Sequence, residues 1–110
     1  MNIYKHTWKN CEIVYINSAD GQVKVQIVGE ALDRTAYIWD LVVYPHARGR
    51  RHGSLLLRLA VQQARIERAD VAVIYPDCEQ WVLDWYERFG FKRDIFFDQK
   101  DGTAAWSMDL

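Results

Sequence analysis

The chain has 110 residues, half of them hydrophobic and 26% charged, with 14 Lys and Arg against 15 Asp and Glu for a formal net charge of −1. That length supports one core and one domain over 1–110, the apolar content excludes a disordered chain, and the balanced charge leaves no whole-protein field to attract nucleic acid or anionic lipid. No apolar run approaches the roughly 18–20 residues that cross a bilayer, and MNIYKHTWKN lacks a signal-peptide core, so a cytoplasmic protein without a membrane partner is expected.

The first regular structure is expected at CEIVYIN and QVKVQIVGE, two β-rich runs joined by SADG, whose Ser, Asp and Gly suit a tight turn. In the second run Val23, Val25 and Ile27 share one face and Lys24 and Gln26 the other, the pattern of a strand with one wet side. AYIWDLVVYP is nearly continuously apolar over about 36–44 and ends at Pro45, so it reads as a strand more buried than those before it. Residues 53–69 hold strong helix formers and no proline, with Leu56, Leu59, Ala60 and Gln63 on one face. VAVIYP, 71–76, reads as a buried strand, and strand, helix, strand implies a right-handed parallel crossover. DCEQWVLDWYERFGF predicts a second helix, with Asp77 as N-cap, Gln80 completing a variant capping box, Val82, Trp85, Tyr86 and Phe89 as the apolar stripe, and Gly90 as the left-handed stop. The C-terminal segment gives two strands around Lys100, Asp101 and Gly102. The expected order is β-β-β-α-β-α-β-β, a mixed α/β fold.

Between the apolar strand and the first helix lies PHARGRRHGS. Ligands of such sheets bind beyond the carboxyl ends of the strands, and the unpaired N–H groups and dipole of a helix N-terminus favour an anion there. Gly49 and Gly53 admit close approach of a bulky phosphate, and Arg48, Arg50 and Arg51 add charge. A solvated basic loop is the plainer reading of the same composition. Cys11 and Cys78 suit neither a disulfide framework nor zinc spacing, and His6, His46 and His52 stand apart, so no metal is expected and both thiols are expected to be buried.

This segment resembles the GNAT superfamily of acetyl-CoA-dependent N-acetyltransferases. Leu41, Val43 and Pro45 match the family's L-x-V-x-P strand end; Arg48, Gly49, Arg50, Gly53 and Ser54 match the phosphate loop; WYERFGF, 85–91, is similar to the family's FYEKLGF. The resemblance covers about residues 22–110 and implies a twisted mixed sheet and acetyl-CoA as cofactor. It implies that Leu41, Val42, Val43, Arg48, Gly49, Arg50, Arg51, His52, Gly53 and Ser54 form the cofactor site, with the Val43 N–H on the thioester oxygen and Tyr86 as general acid. Asp40 is the candidate base, since some members carry Glu-Asp where this chain has Trp39-Asp40; a structural hydrogen bond or a water relay is the alternative for it. His52 as base and Cys78 as an acyl carrier are weaker options.

Three departures stand out. A loop glycine is replaced by Arg51, which is expected to sit in helical backbone at little cost. Glu79 takes the place of an Asn that often contacts the pantetheine arm. The helix pair usually found between the first two strands is missing, which leaves the acceptor side open; the implied acceptor is a primary amine on a protein, a lysine or an N-terminus, and a homodimer could supply the missing wall. The competing class is a GNAT-fold binding module without turnover. Trp81 and Trp106 are the tryptophans expected to be free for a protein or nucleic-acid partner, Trp85 being core, though the lack of a basic stripe argues against nucleic acid.

Overall fold

A computed structural model describes residues 1–30 and 32–110; the link over 31–35 therefore lies partly outside the described residues. Seven strands, β1 (Asn2–Trp8), β2 (Cys11–Asn17), β3 (Gly21–Glu30), β4 (Asp33–Val43), β5 (Val71–Ile74), β6 (Lys92–Arg93) and β7 (Trp106–Asp109), form one sheet in the order β1-β2-β3-β4-β5-β7-β6. β4 and β5 are parallel and every other neighbouring pair is antiparallel. Two helices, α1 (His52–Ile66) and α2 (Gln80–Phe89), complete the mixed α/β fold.

β1 is absent from the sequence-based expectation. Its residues alternate Ile3, Lys5, Thr7 with Tyr4, His6, Trp8, so neither face reads as apolar, and all seven are exposed on the sheet edge. A two-residue turn, Lys9–Asn10, joins it directly to β2, so a hairpin stands where the helix pair is expected to be lacking.

The main core cluster lies on one face. Val14, Ile16, Val23, Val25, Ile27, Ala36 and Ile38 of the strands meet Leu56, Leu57, Ala60, Val61 and Ala64 of α1. The stripe of α1 is thus 56, 57, 60, 61, 64, rotated from the expected one: Leu59 and Gln63 lie at its half-buried border. α2 packs Trp85, Tyr86 and Phe89 against the same cluster, with Phe91 fully buried behind them. Both helices therefore cover one side, as two successive right-handed crossovers moving the same way along a sheet require. The expected burial of β4 is corrected: only Ala36 and Ile38 are buried, against four residues of β3, because Tyr37 and Trp39 point to the side without helices.

Helix ends also differ. α1 stops at Ile66, with Arg68 in left-handed backbone (φ 62°) and Ala69 N–H donating to Ala64 O at 3.0 Å, a reversal that glycine usually provides. α2 begins three residues after Asp77; its N-cap is Glu79, whose side chain makes no capping bond, so the expected capping box does not form. Gly90 ends α2 at φ 123°, as expected. Toward the C-terminus only Lys92–Arg93 and Trp106–Asp109 pair, and a 3-10 turn over Ile95–Phe97 interrupts the expected long hairpin. No described helix is long and apolar enough to cross a membrane.

Candidate active site

The site begins with one surplus residue. Gln22 and Lys24 of β3 are separated by one position, while their partners Val42 and Trp39 on β4 are separated by two, so Asp40 and Leu41 form a β-bulge. Asp40 takes left-handed backbone there, φ 54°. A bulge bends the strand that carries it, and β4 pairs with parallel β5 only at Thr35, Ala36 and Tyr37. Beyond Tyr37 the two strands part, and a cleft of about 910 Å³ opens between them.

Hydrogen-bond alternation fixes what β4 turns toward that cleft. Tyr44 N–H donates to Asp20 O at 2.9 Å, so Val43 and Gly21, one step back, are a non-hydrogen-bonded antiparallel pair. The Val43 N–H and C=O consequently face away from β3, into the cleft. Arg48 Nε donates to that carbonyl at 3.3 Å, and the amide is left for a ligand.

Pro45–Ala47 forms a 3-10 turn, closed by Ala47 N–H on Tyr44 O and Arg48 N–H on Pro45 O. The first helical bond of α1 runs from Leu55 N–H to Arg51 O at 3.2 Å. Between these points the N–H groups of Gly49, Arg50, Arg51, His52, Gly53 and Ser54 donate to no protein group among the described residues. Six consecutive free amides at a helix N-terminus form a nest for an anion. Gly49 lies at φ 82° with open space where a Cβ would stand. Gly53 faces Val43 and Trp85, 3.6 and 3.8 Å from the position of a Cβ, so a larger side chain there would occupy the cleft mouth.

Arg51 corrects the expectation of helical backbone: it is left-handed, φ 63° and ψ 19°, as the N-cap of α1. The loop retains the conformation that a glycine would favour, at a cost of about 1–2 kcal/mol.

The far wall comes from the β5–α2 junction and α2: Asp77, Trp81, Val82, Trp85 and Tyr86. Tyr86 packs edge-on against Trp85 and Phe91 at 4.8 and 5.8 Å between ring centres. Burial, with the Asp77 carboxylate second, pushes its hydroxyl up to about 12, so it stays protonated. That hydroxyl has no hydrogen-bond partner among the described residues.

The cleft therefore gathers Leu41, Val42, Val43, Arg48, Gly49, Arg51, His52, Gly53, Ser54 and Tyr86 of the expected residues. Arg50 is exposed and lies outside its wall. Asp40, expected to be an embedded carboxylate, is mostly exposed, forms an ion pair with Lys24 (Nζ to Oδ2 3.1 Å) and lines a separate groove with Tyr4 and Asn17. The bulge turns it out of the apolar run. The Nε2 of His52 lies 3.7 Å from Asp20, which His46 also approaches at 3.4 Å. Cys78 is exposed and Cys11 half-buried, contrary to the expectation of buried thiols, and no group of His, Cys, Asp and Glu among the described residues could hold a metal. Trp81 is 69% exposed at the cleft rim, as expected, while Trp106 packs on the core.

Sequence reasoning missed Asp77, Trp81, Val82 and Trp85 as cleft residues. A pointer existed in the helical stripe of Val82, Trp85, Tyr86 and Phe89, which serves equally a core face and a cleft wall, and the two readings differ only once the parting of β4 and β5 is known.

The profile of the acetyltransferase (GNAT) domain family matches residues 9–93. Among solved structures, the chain is similar to a GNAT family acetyltransferase from Elizabethkingia anophelis with acetyl-CoA bound (TM-score 0.66, 14% identity, covering 99% of this chain and 97% of that one). It is also similar to the PaiA N-acetyltransferase from Thermoplasma acidophilum in complex with coenzyme A (0.66, 13%, 92% and 62%). A chain of the NatC complex bound to Gag peptide and CoA is a third (0.65, 20%, 91% and 70%). No curated protein matches the sequence.

Proposed function

The chain belongs to the GNAT acetyltransferase family, and from that premise we propose that it transfers an acetyl group from acetyl-CoA to a primary amine carried on a protein, a lysine or an N-terminus. The observation that carries this reading is the run of six unengaged amides opening α1 beside a cleft where β4 has left β5. The amides from Gly49 to Ser54 hold the diphosphate, with Arg48 and Arg51 at its edge. Hydrogen bonds to a charged group contribute roughly 1.5–3 kcal/mol each, enough to anchor a cofactor without deep burial. Leu41 and Val43 on one side and Val82 and Trp85 on the other would hold the pantetheine arm. Structures of fold relatives holding CoA or acetyl-CoA support the same cofactor.

The chemistry follows from what lines the cleft. The amine lone pair attacks the thioester carbon, and the charge that moves onto the carbonyl oxygen meets the Val43 N–H. The nitrogen then carries a surplus proton, and Asp77 is the carboxylate of the cleft wall to receive it, directly or through water. On collapse the C–S bond breaks and the electron pair leaves with sulfur. Tyr86, still protonated, donates its hydrogen bond there; with its hydroxyl near 12 against about 8.5 for an ordinary thiol it stabilises the thiolate more than it transfers a proton outright. Asp40 is assigned to the bulge rather than to proton transfer.

The acceptor class is inferred from shape. A small polar amine needs enclosing contacts, whereas a protein brings its own binding area to an open site, and here a two-residue turn stands in place of an enclosing helix pair. The peptide in the NatC complex is in keeping with such an acceptor. The test is calorimetric titration with acetyl-CoA, followed by CoA-thiol release with peptides bearing a free lysine or N-terminus. Wild type is expected to bind and turn over, and Gly53→Trp to fold but not bind. Absence of heat at millimolar acetyl-CoA would overturn the reading; binding without release on any peptide or small amine would leave a binding module in its place.

A further inference from the structure

The sheet has a second face that no helix among the described residues covers. Pairing places Tyr4, His6 and Trp8 of β1, Cys11, Ile13 and Tyr15 of β2, Lys24, Gln26 and Val28 of β3, and Thr35, Tyr37 and Trp39 of β4 on it. Rings form two groups on it, either side of Lys24, Gln26 and Val28: Tyr4 stacks on Tyr15 at 4.9 Å, while Trp39 stacks on Tyr75 at 5.2 Å and Tyr37 on Tyr75 at 6.5 Å, with Phe97 edge-on to Tyr37 at 6.4 Å. Beside Phe97, Ile95 and Phe96 are 76% and 83% exposed.

We infer that this face is the interface of a two-fold homodimer in which the sheets of two copies stack. Three observations select a second copy over other occupants. First, three donors on or beside the rings are already engaged within the copy. Trp39 Nε1 donates to Gln26 at 2.9 Å, Tyr75 Oη to Phe97 O at 3.0 Å and Asn17 Nδ2 to Tyr4 Oη at 3.3 Å, so these three donors need no water when the face is covered.

Second, charge is self-compatible. The one ammonium, Lys24, and the carboxylate at the border, Asp40, pair within the same copy at 3.1 Å, so the face can meet its own image without like-charge repulsion. A nucleic acid would find no unpaired lysine or arginine among these residues, and the rings lie flat against each other rather than free to take bases.

Third, the area suffices. Four strands over seven residues and β5 over four, at about 4.8 Å between strands and about 3.3 Å per residue, give a flat footprint of roughly 500 Å² per copy. Side-chain relief and the Ile95–Phe97 rim take this to the ~600 Å² per partner at which stable interfaces begin. A peptide alone would suit a groove or a strand edge better than so broad and flat a surface. Val42 lies where this face borders the catalytic cleft, so the second copy also walls the acceptor side left open by the missing helices.

The test is sedimentation equilibrium of the full chain at 1–100 µM (about), without cofactor, so that its outcome is independent of the acetyl-transfer reading. Wild type is expected at twice the 13.0 kDa chain mass. Trp8→Arg and Val28→Arg, both at exposed positions outside the cleft, are expected to weaken the dimer about a hundredfold while retaining acetyl-CoA binding, which reports that they fold. A monomeric wild type would overturn the inference. So would a dimer that survives Val28→Arg and yields only to changes in β1, since that result means edge-to-edge pairing rather than stacked faces.

Discussion

Arg51 and Tyr86 carry the sharpest consequences at the level of single residues. Arg51 holds the left-handed turn into α1 (φ 63°) that its side chain disfavours. Replacing it with glycine removes the Cβ strain, offset in part by the greater freedom of glycine in the unfolded chain. Arg51→Gly is expected to stabilise the protein by about 0.5–1 kcal/mol, a rise of about 2–4 °C in melting temperature, while weakening CoA severalfold by losing a cation at the diphosphate. Paired thermal melts and calorimetry separate the two effects. For Tyr86 the sign is set by burial, which favours the neutral phenol: its contribution to stability is complete below the ordinary value of 10 and is lost as pH rises toward about 12. Between pH 8 and 10 the enzyme therefore keeps its hydrogen-bond donor, and kcat is expected to show no alkaline fall from this group. Tyr86→Phe is expected to lower kcat about 10²-fold with acetyl-CoA affinity unchanged. Asp40→Asn, by contrast, should leave kcat within about threefold, since this carboxylate faces Lys24 and not the cleft.

At the level of elements, the cleft is made by a mismatch between strands. One extra residue on β4 bends it away from β5 and turns the Val43 amide outward, and the same divergence leaves the N-terminus of α1 facing open space. Deleting Asp40 removes the surplus residue and brings Leu41 into register with Val23, so β4 loses the bend that carries it away from β5. Such a deletion is expected to abolish acetyl-CoA binding even where circular dichroism shows that the sheet survives. The glycine at 53 is needed for space: a Cβ there lies 3.6 Å from Val43 and 3.8 Å from Trp85, so Gly53→Val is expected to cost at least tenfold in affinity by narrowing the mouth, without a change in fold.

For the whole molecule, one face of the sheet carries the core and both helices while the other carries stacked aromatic rings. Because the cleft is lined by β4, the loop and N-terminus of α1, and α2, an occupant ties these elements together. Acetyl-CoA at about a hundredfold over its dissociation constant is expected to add about 2.7 kcal/mol, or about 10 °C in melting temperature. A shift absent from Gly53→Trp but present in Trp8→Arg would place that stabilisation in the cleft.

What the sequence determined by itself is the part written in local chemistry. Val23, Val25 and Ile27 alternate and are buried; Gly90 ends a helix because it can adopt φ 123°; the loop between an apolar strand and a helix must expose amides to whatever sits beside it. Tertiary structure alone decided the rest. Whether Asp40 points into a cleft depends on a register count between two strands, the backbone of Arg51 on how the loop reaches α1, and the fate of Tyr37 and Trp39 on which side of the sheet the helices pack. None of these is a property of neighbouring residues. A strand's residues state which positions share a face, and only the arrangement of the other elements settles which face is covered.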